Sequence, residues 1–322
     1  MSTDKTALVL GATGGIGGET AAALLRHGWS VTALARNPGA REPVGPDPLA
    51  AARWIAGDAL NPRDVSRAAE GASVIVHAVN PPGYRDWGKL VLPMIDATIA
   101  AAETFGARIV LPGNIYNYGP DAFPLLKEDS PQHPRTAKGR IRVELERRLE
   151  EASRRRAPAL IVRFGDFFGP APGANWFSQS MATPGTRLRS ITYPGAPRTG
   201  HSWAYLPDAG ETFARLLDRA DRLEPFARFH FEGHWDPDGK WMVRAIAEML
   251  GRPEMKVNPL PWRRIGFAGL FQQTAREIYR MRYLWRAPVR LDNSKLVTFL
   301  GREPHTSFSQ AVGETLKALK IT

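Results

Sequence analysis

The sequence predicts an α/β protein: a doubly wound parallel sheet of the Rossmann type, followed by a smaller loop-rich and helical C-terminal substrate region. Three observations predict this. Short apolar runs alternate with amphipathic stretches through the first half, the pattern of repeated βαβ units. A glycine cluster, LVLGATGGIG, lies between the first apolar run and the first amphipathic stretch. From Gly169 the texture changes, and GPAPGAN, TPGTR and YPGAPRTG pack prolines and glycines densely before helical patterns resume. Loop-rich stretches of this kind after a parallel sheet tend to cover a binding crevice.

The elements follow in order. Strands are expected at Ala7 to Leu10, Ser30 to Ala35, Arg53 to Ala56, Ser73 to Ala78, Arg108 to Leu111 and Ala159 to Phe164. Helices are expected between them at Ile16 to His27, Pro62 to Ala69, Trp87 to Thr104 and Lys138 to Arg155, with Gly28, Gly71 and Gly106 near their ends. Further helices are expected at Ala209 to Ala220, Lys240 to Leu250, Arg264 to Trp285 and Ser307 to Leu319. The division is residues 1–168 as an NADP-binding Rossmann domain, to which 200–232 return, with 169–199 and 233–322 as the substrate-binding region.

The 322 residues, 43% of them apolar, suffice for a substantial core. No run of about 18 apolar residues exists, so no membrane span is expected. The first residues lead straight into a strand, and with no cysteine to form disulfides or thiolate metal sites, a cytoplasmic location is expected. The net charge of +11 is carried by 34 arginines against 9 lysines, scattered through Ala, Gly and Pro. That scatter points to composition bias and away from a nucleic-acid partner, although a basic surface raises the local concentration of anionic cofactors or substrates.

The glycine cluster follows a strand and opens a helix, so backbone N–H groups approach a pyrophosphate at the helix N-terminus. The expected contacts are Gly11, Thr13, Gly14, Gly15, Ile16 and Gly17. At the end of the second strand an acidic residue would bind the ribose 2′-hydroxyl of NAD, whereas Arg36 offers a donor fork suited to a 2′-phosphate, and NADP is the expected cofactor over NAD. Asp58, before Ala59, is placed either to accept a hydrogen bond from the adenine amino group or to shape the turn into the next helix. Ala78, Val79, Asn80 and Pro82 end the fourth strand near the middle of the cofactor, and His77 is read as a packed strand residue.

GATGGIG, Arg36, the Gly-Asp at 57–58 and HAVNPP together resemble the extended short-chain dehydrogenase/reductase superfamily, in its NAD(P)-dependent epimerase/dehydratase branch. YNYGP at 116–120, VRFGDFFGP at 162–170, HSWAYLPDAG at 201–210 and LDNSKLVTFLGREP at 291–304 extend the similarity over nearly the whole chain. The resemblance implies a serine or threonine after the fifth strand that polarises the substrate oxygen. It also implies a tyrosine acting as acid or base, with a lysine four residues later that holds the nicotinamide ribose. Here the pattern departs. Alignment on Tyr118-Gly119 puts Asn114 at the hydroxyl position, and counting back from Glu144 puts Thr136 at the tyrosine and Arg140 at the lysine. Lys138 is the ribose ligand in an alternative register. Asn114 still donates to a carbonyl oxygen, but a threonine hydroxyl cannot serve as the acid, so Tyr116, or the family-matched Tyr118, is the candidate substitute.

Asp166, Asn175, Trp176, Arg198 and His201 fall where the region covering the nicotinamide is expected. His230 and His234, in a strand-like FHFEGH, lack a third ligand, and no metal is expected. Phe267, Phe271, Ala275, Ile278, Met281 and Trp285 recur at helical spacing among arginines: core, a lid over substrate, or a face for an anionic membrane or a partner subunit. The expectation is an NADP-dependent oxidoreductase acting on a carbonyl or secondary alcohol of a small or medium-sized substrate, as monomer or homodimer. An NADP-binding sensor with impaired catalysis is the alternative, and a nucleotide-sugar epimerase or dehydratase a lesser one.

Overall fold

The computed structural model describes residues 5–40, 47–81, 86–171, 173 and 175–322. The chain begins β1 (Thr6–Leu10), α1 (Gly15–Arg26), β2 (Ser30–Ala35), β3 (Arg53–Ala56), α2 (Pro62–Ala68), β4 (Val74–His77), α3 (Trp87–Phe105), β5 (Arg108–Gly113) and the short β6 (Leu125–Leu126). It continues with α4 (Ala137–Ser153), β7 (Ala159–Arg163), β8 (Asp166–Phe168), β9 (Ser190–Tyr193), β10 (His201–Tyr205), α5 (Leu206–Leu217), β11 (Phe226–His230) and β12 (His234–Asp236). The last elements are α6 (Trp241–Met249), β13 (Lys256–Pro259), α7 (Trp262–Ala268), α8 (Gln273–Met281), β14 (Arg290–Leu291), α9 (Ser294–Leu300) and α10 (Phe308–Ala318).

Seven strands form one sheet in the order β11-β7-β5-β4-β1-β2-β3, and every pairing in it is parallel. Its central strands are mainly apolar because helices cover both faces. On one face α1 and α5 pack Ala21, Ala23, Leu24, Ala209 and Phe213 onto the sheet, so closely that a Cβ on Gly210 would lie 2.5 Å from the Glu19 carbonyl oxygen. On the other, α3 and α4 bring Val91, Ile95, Leu145 and Leu149 against Ile75, Ile109 and Ile161. Each of the larger side chains among these, fully buried, stabilises the fold by about 1.5–3 kcal/mol. Local signals set the helix starts: the Asn61 side chain accepts the Arg63 N–H ahead of Pro62 on α2, and Thr136 accepts the Gly139 N–H at the start of α4.

Beyond the sheet, β8, β10 and β12 make a three-stranded sheet, and β9 pairs with β13 and β6 with β14. The helix expected over Arg264 to Trp285 is corrected to α7, a turn, α8 and a 3-10 turn at Arg282–Trp285. Gly266 and Gly269 account for the break. A Cβ on Gly266 would lie 2.8 Å from the Tyr279 ring and one on Gly269 2.9 Å from Arg276 Cα, so α7 folds back on α8 only because both are glycine. The apolar face divides accordingly: Met281 and Trp285 are buried, whereas Phe267 and Phe271 are exposed. The helix α9 lies in the stretch quoted above for its family likeness and was not expected as a helix.

Candidate active site

The sheet order reverses at β1, and there the loops after β1 and β4 open a crevice at the strands' C-terminal ends, the position where doubly wound sheets bind ligands. Gly11 has φ +92°, and a Cβ on it would lie 2.5 Å from the Ala78 carbonyl oxygen at the end of β4. A Cβ on Gly17 would overlap the Gly11 carbonyl, so the fold itself requires both glycines. Gly14 differs. A Cβ there would meet only the Gly11 oxygen, at 3.4 Å, and the residue faces open space. It is the N-cap of α1, with no side-chain cap and no acidic residue in the first turn. An anionic pyrophosphate fits this helix end, which offers N–H donors and a positive dipole and holds no carboxylate of its own.

Gly14, Gly15 and Ile16 form one wall of a cavity of about 350 Å³. Ala78, Asn80, Asn114 and Tyr116 contribute from the ends of β4 and β5, Lys138 and Arg142 from α4, and Asp166, Asn175 and Trp176 from the segment after β7. Trp87, Phe164, Phe167, Met281, Leu284 and Trp285 make much of the rest apolar, with Glu277 as an acid in that wall. Asn114 Oδ1 accepts the Tyr116 N–H at 3.0 Å, which leaves its amide nitrogen as the donor for a substrate oxygen. Tyr116 is half-buried beside it.

The helix register departs from the count made back from Glu144. Thr136 is spent on capping α4, its hydroxyl accepting the Gly139 N–H at 3.0 Å. Arg140 is exposed and lies outside the cavity lining. The residues one turn apart that face the cavity are Lys138 and Arg142, two positions later. Gly139 fixes this rotation, since a Cβ on it would run into the Tyr116 carbonyl oxygen. Arg142 donates to Asn80 Oδ1 at 2.8 Å, and the Lys138 ammonium lies 5.1 Å from the centre of the Trp87 ring.

Burial draws the Lys138 ammonium down from its ordinary 10.5 to about 8, against the opposing attraction of Glu277. The folded chain therefore sheds this proton near pH 8, while an unfolded lysine keeps it to about pH 10.4. Between those values the unfolded state holds more protons, so stability rises with pH across the window. The expected result is that Lys138→Met lacks this rise, so the difference between wild-type and variant unfolding midpoints grows as pH goes from about 8 to about 10. Parallel pH profiles would refute it.

Other expected residues are placed as follows. Arg36 is exposed at the end of β2, and Asp58 and Ala59 follow β3, outside the cavity lining. Asp58 Oδ1 accepts the Leu60 N–H at 3.0 Å and so shapes the turn, while capping of α2 falls to Asn61. Thr13 is exposed on the glycine loop, and Val79 packs toward the core on the α3 side. Pro82 lies outside the described residues. Tyr118 is corrected out of the site: fully buried, its hydroxyl lies 3.1 Å from His230 Nε2, and burial pushes its pKa up to about 12. Arg198 is exposed and outside the cavity lining as well. His201 stands behind the wall, stacked on Trp285 at 3.8 Å between ring centres, and its Nε2 lies 2.8 Å from Asp166 Oδ2. His77 is the packed residue expected, bonded through Nδ1 to the Thr98 hydroxyl at 2.8 Å, with burial and then Arg142 driving its pKa down to about 3. Among the described residues no group of three His, Asp or Glu could hold a metal ion, and no helix is long and apolar enough to cross a membrane.

Arg142 and Glu277 were missed. The spacing of four from Lys138 was a usable signal for Arg142. Glu277 carried only the weak signal of being the one acid in an arginine-rich stretch.

A parallel sheet with this strand order and an uncapped glycine loop at its switch point defines a dinucleotide-binding α/β protein. Residues 11–157 match the family described as NAD(P)H-binding. No curated protein matches the sequence. Among solved structures, the UDP-glucuronic acid 4-epimerase of Bacillus cereus, in complex with NAD, aligns with a TM-score of 0.75 at 17% identity over 98% of both chains. The UDP-glucose 4-epimerase of Bifidobacterium longum, in complex with NAD+ and UDP, gives 0.74 at 14% over 98% of both. That of Thermus thermophilus, in complex with NAD, gives 0.71 at 18% over 98% of this chain and 99% of that one. The chain thus shares its fold with these epimerases.

Proposed function

We propose that this protein is an NADP-dependent oxidoreductase that interconverts a carbonyl and a secondary alcohol on a small or medium-sized substrate with an apolar body. The observation that carries this reading is that Asn114, Tyr116 and Lys138 line one cavity with the glycine loop. The nicotinamide, when bound, supplies or accepts the hydride. In the reducing direction the Tyr116 hydroxyl donates its proton to the carbonyl oxygen, while the Asn114 amide hydrogen-bonds the same oxygen and stabilises the charge that develops on it. Oxidation reverses both roles. Lys138, and not Arg140, is the cation suited to hold the ribose, and its lowered pKa suits it to return a proton to Tyr116 near neutral pH. Trp87, Phe164, Phe167 and Trp176 exclude water and favour an apolar substrate over a nucleotide sugar.

Purified protein is expected to oxidise NADPH in the presence of a member of an aldehyde, ketone and quinone panel, with NADPH bound more tightly than NADH. Arg36→Glu should weaken NADPH about tenfold or more by replacing a phosphate ligand with a like charge. Tighter NADH binding by the wild type would overturn the assignment of Arg36. Cofactor binding with no turnover on any panel member would favour the sensor reading instead.

A further inference from the structure

Among the described residues, the three most exposed large apolar side chains all stand where α7 turns into α8: Phe267 at 69%, Leu270 at 66% and Phe271 at 78%. The turn that carries them is tightly made. The N–H groups of Gly269, Leu270, Phe271 and Gln272 all bond to carbonyls within the turn, at 2.8 to 3.1 Å. The carbonyls of Gly269 and Leu270 in turn accept from the Arg276 guanidinium, at 2.7 and 3.2 Å. The Phe267 and Phe271 rings meet edge to face at 5.9 Å. Such a tip exposes apolar surface while its own backbone polar groups are largely satisfied, and this lowers the cost of leaving water for an apolar medium.

Its electrostatic surroundings are one-sided. Residues 260–286 hold six arginines and a single carboxylate, Glu277, which is buried in the cavity wall. Arg263, Arg264 and Arg276 are exposed around the tip. Apolar side chains beside exposed arginines, with no exposed acid in residues 260–286, match the acyl boundary and headgroups of an anionic lipid surface. A second copy of the chain would bring the same positive charge against this one. A nucleic acid would meet the arginines but would have no counterpart for the phenylalanines.

We propose that the α7–α8 turn docks the protein on anionic phospholipid bilayers, with Phe267, Leu270 and Phe271 entering the interface and Arg263, Arg264 and Arg276 contacting the headgroups. The helix α8 also supplies Glu277, Ile278 and Met281 to the cavity wall, so docking brings the cavity close to the lipid. This inference does not rest on the chemistry proposed above.

The test is co-sedimentation of the full chain with phosphatidylcholine vesicles with and without phosphatidylglycerol, at low and high salt. Binding is expected to the anionic vesicles only, weakened by salt. It should fall about tenfold or more both in a Phe267→Ser/Leu270→Ser/Phe271→Ser variant and in an Arg263→Glu/Arg264→Glu variant. Circular dichroism of each variant checks that the fold is kept, which the exposure of these side chains makes the expected result. Equal binding to neutral vesicles, no binding, or undiminished binding by folded variants would each overturn the proposal. So would a wild-type dimer that the triple-serine variant dissociates, since the patch would then be a contact between copies.

Discussion

Truncation of Glu146 to alanine is expected to lower the unfolding free energy by about 3–5 kcal/mol, the range for removing one partner of a buried ion pair. Glu146 on α4 and Arg163 at the end of β7 are both buried and paired. The guanidinium also lies 5.3 Å from the centre of the Tyr118 ring and 3.3 Å from His230 Nε2. That histidine is a neutral partner, because burial and then the Arg163 charge drive its pKa down to about 3, and a neutral ring cannot replace the carboxylate. Without Glu146 the buried cation loses its hydrogen-bonded carboxylate and keeps only the weaker attraction of Glu128, so the contact between α4 and β7 is left with a poorly compensated charge. Glu146→Gln keeps a hydrogen-bond acceptor and should cost less. A Glu146→Met/Arg163→Met double variant should recover much of the loss, since apolar replacement of both partners removes the desolvation penalty. Urea unfolding of the three variants measures this. A cost for Glu146→Ala below about 1 kcal/mol, the range of an exposed pair, would contradict the buried-pair account.

The largest catalytic effect is expected at Tyr116. Removal of its hydroxyl in Tyr116→Phe should lower kcat by about a hundredfold or more, the usual scale of a lost general acid, with KM and NADPH affinity little changed because the ring remains in the cavity wall. Asn114→Ala should reduce kcat less, since one of two groups on the oxygen is lost. Tyr118→Phe serves as the contrast: its hydroxyl lies outside the cavity beside His230, so it should alter stability and leave kcat alone. Wild-type turnover by Tyr116→Phe would exclude this residue as the proton donor.

Six strands of the central sheet were legible as short, mainly apolar runs, the composition favoured in a strand buried on both faces, whereas β11, FARFH, was not among them and only its end was read as strand-like. The bounds of β2 and β3 agree with the reading to the residue. The glycine loop was legible for a related reason, since steric demands at Gly11 and Gly17 admit a single residue type. What sequence spacing did not carry was rotation. On α4 an error of two residues exchanges Lys138 and Arg142 for Thr136 and Arg140, and what decides the matter is the long-range approach of Gly139 to the Tyr116 carbonyl. The break between α7 and α8 was hidden likewise, because Gly266 and Gly269 are tolerated inside a helix unless a second helix comes down on them. Glu277 reaches the cavity from a stretch far in sequence from the glycine loop and from α4, and spacing alone does not report such a meeting.

The cavity is assembled from two kinds of sequence. The glycine loop, Asn114, Tyr116 and Lys138 come from the first 140 residues, while, Trp87 apart, most of the walls that would face a substrate come from short windows around 164–176 and 277–285. Selectivity is therefore separable from the redox half. An evolving or engineered lineage can exchange the two windows, and with them the range of molecules admitted, without disturbing how the nicotinamide nucleotide is held.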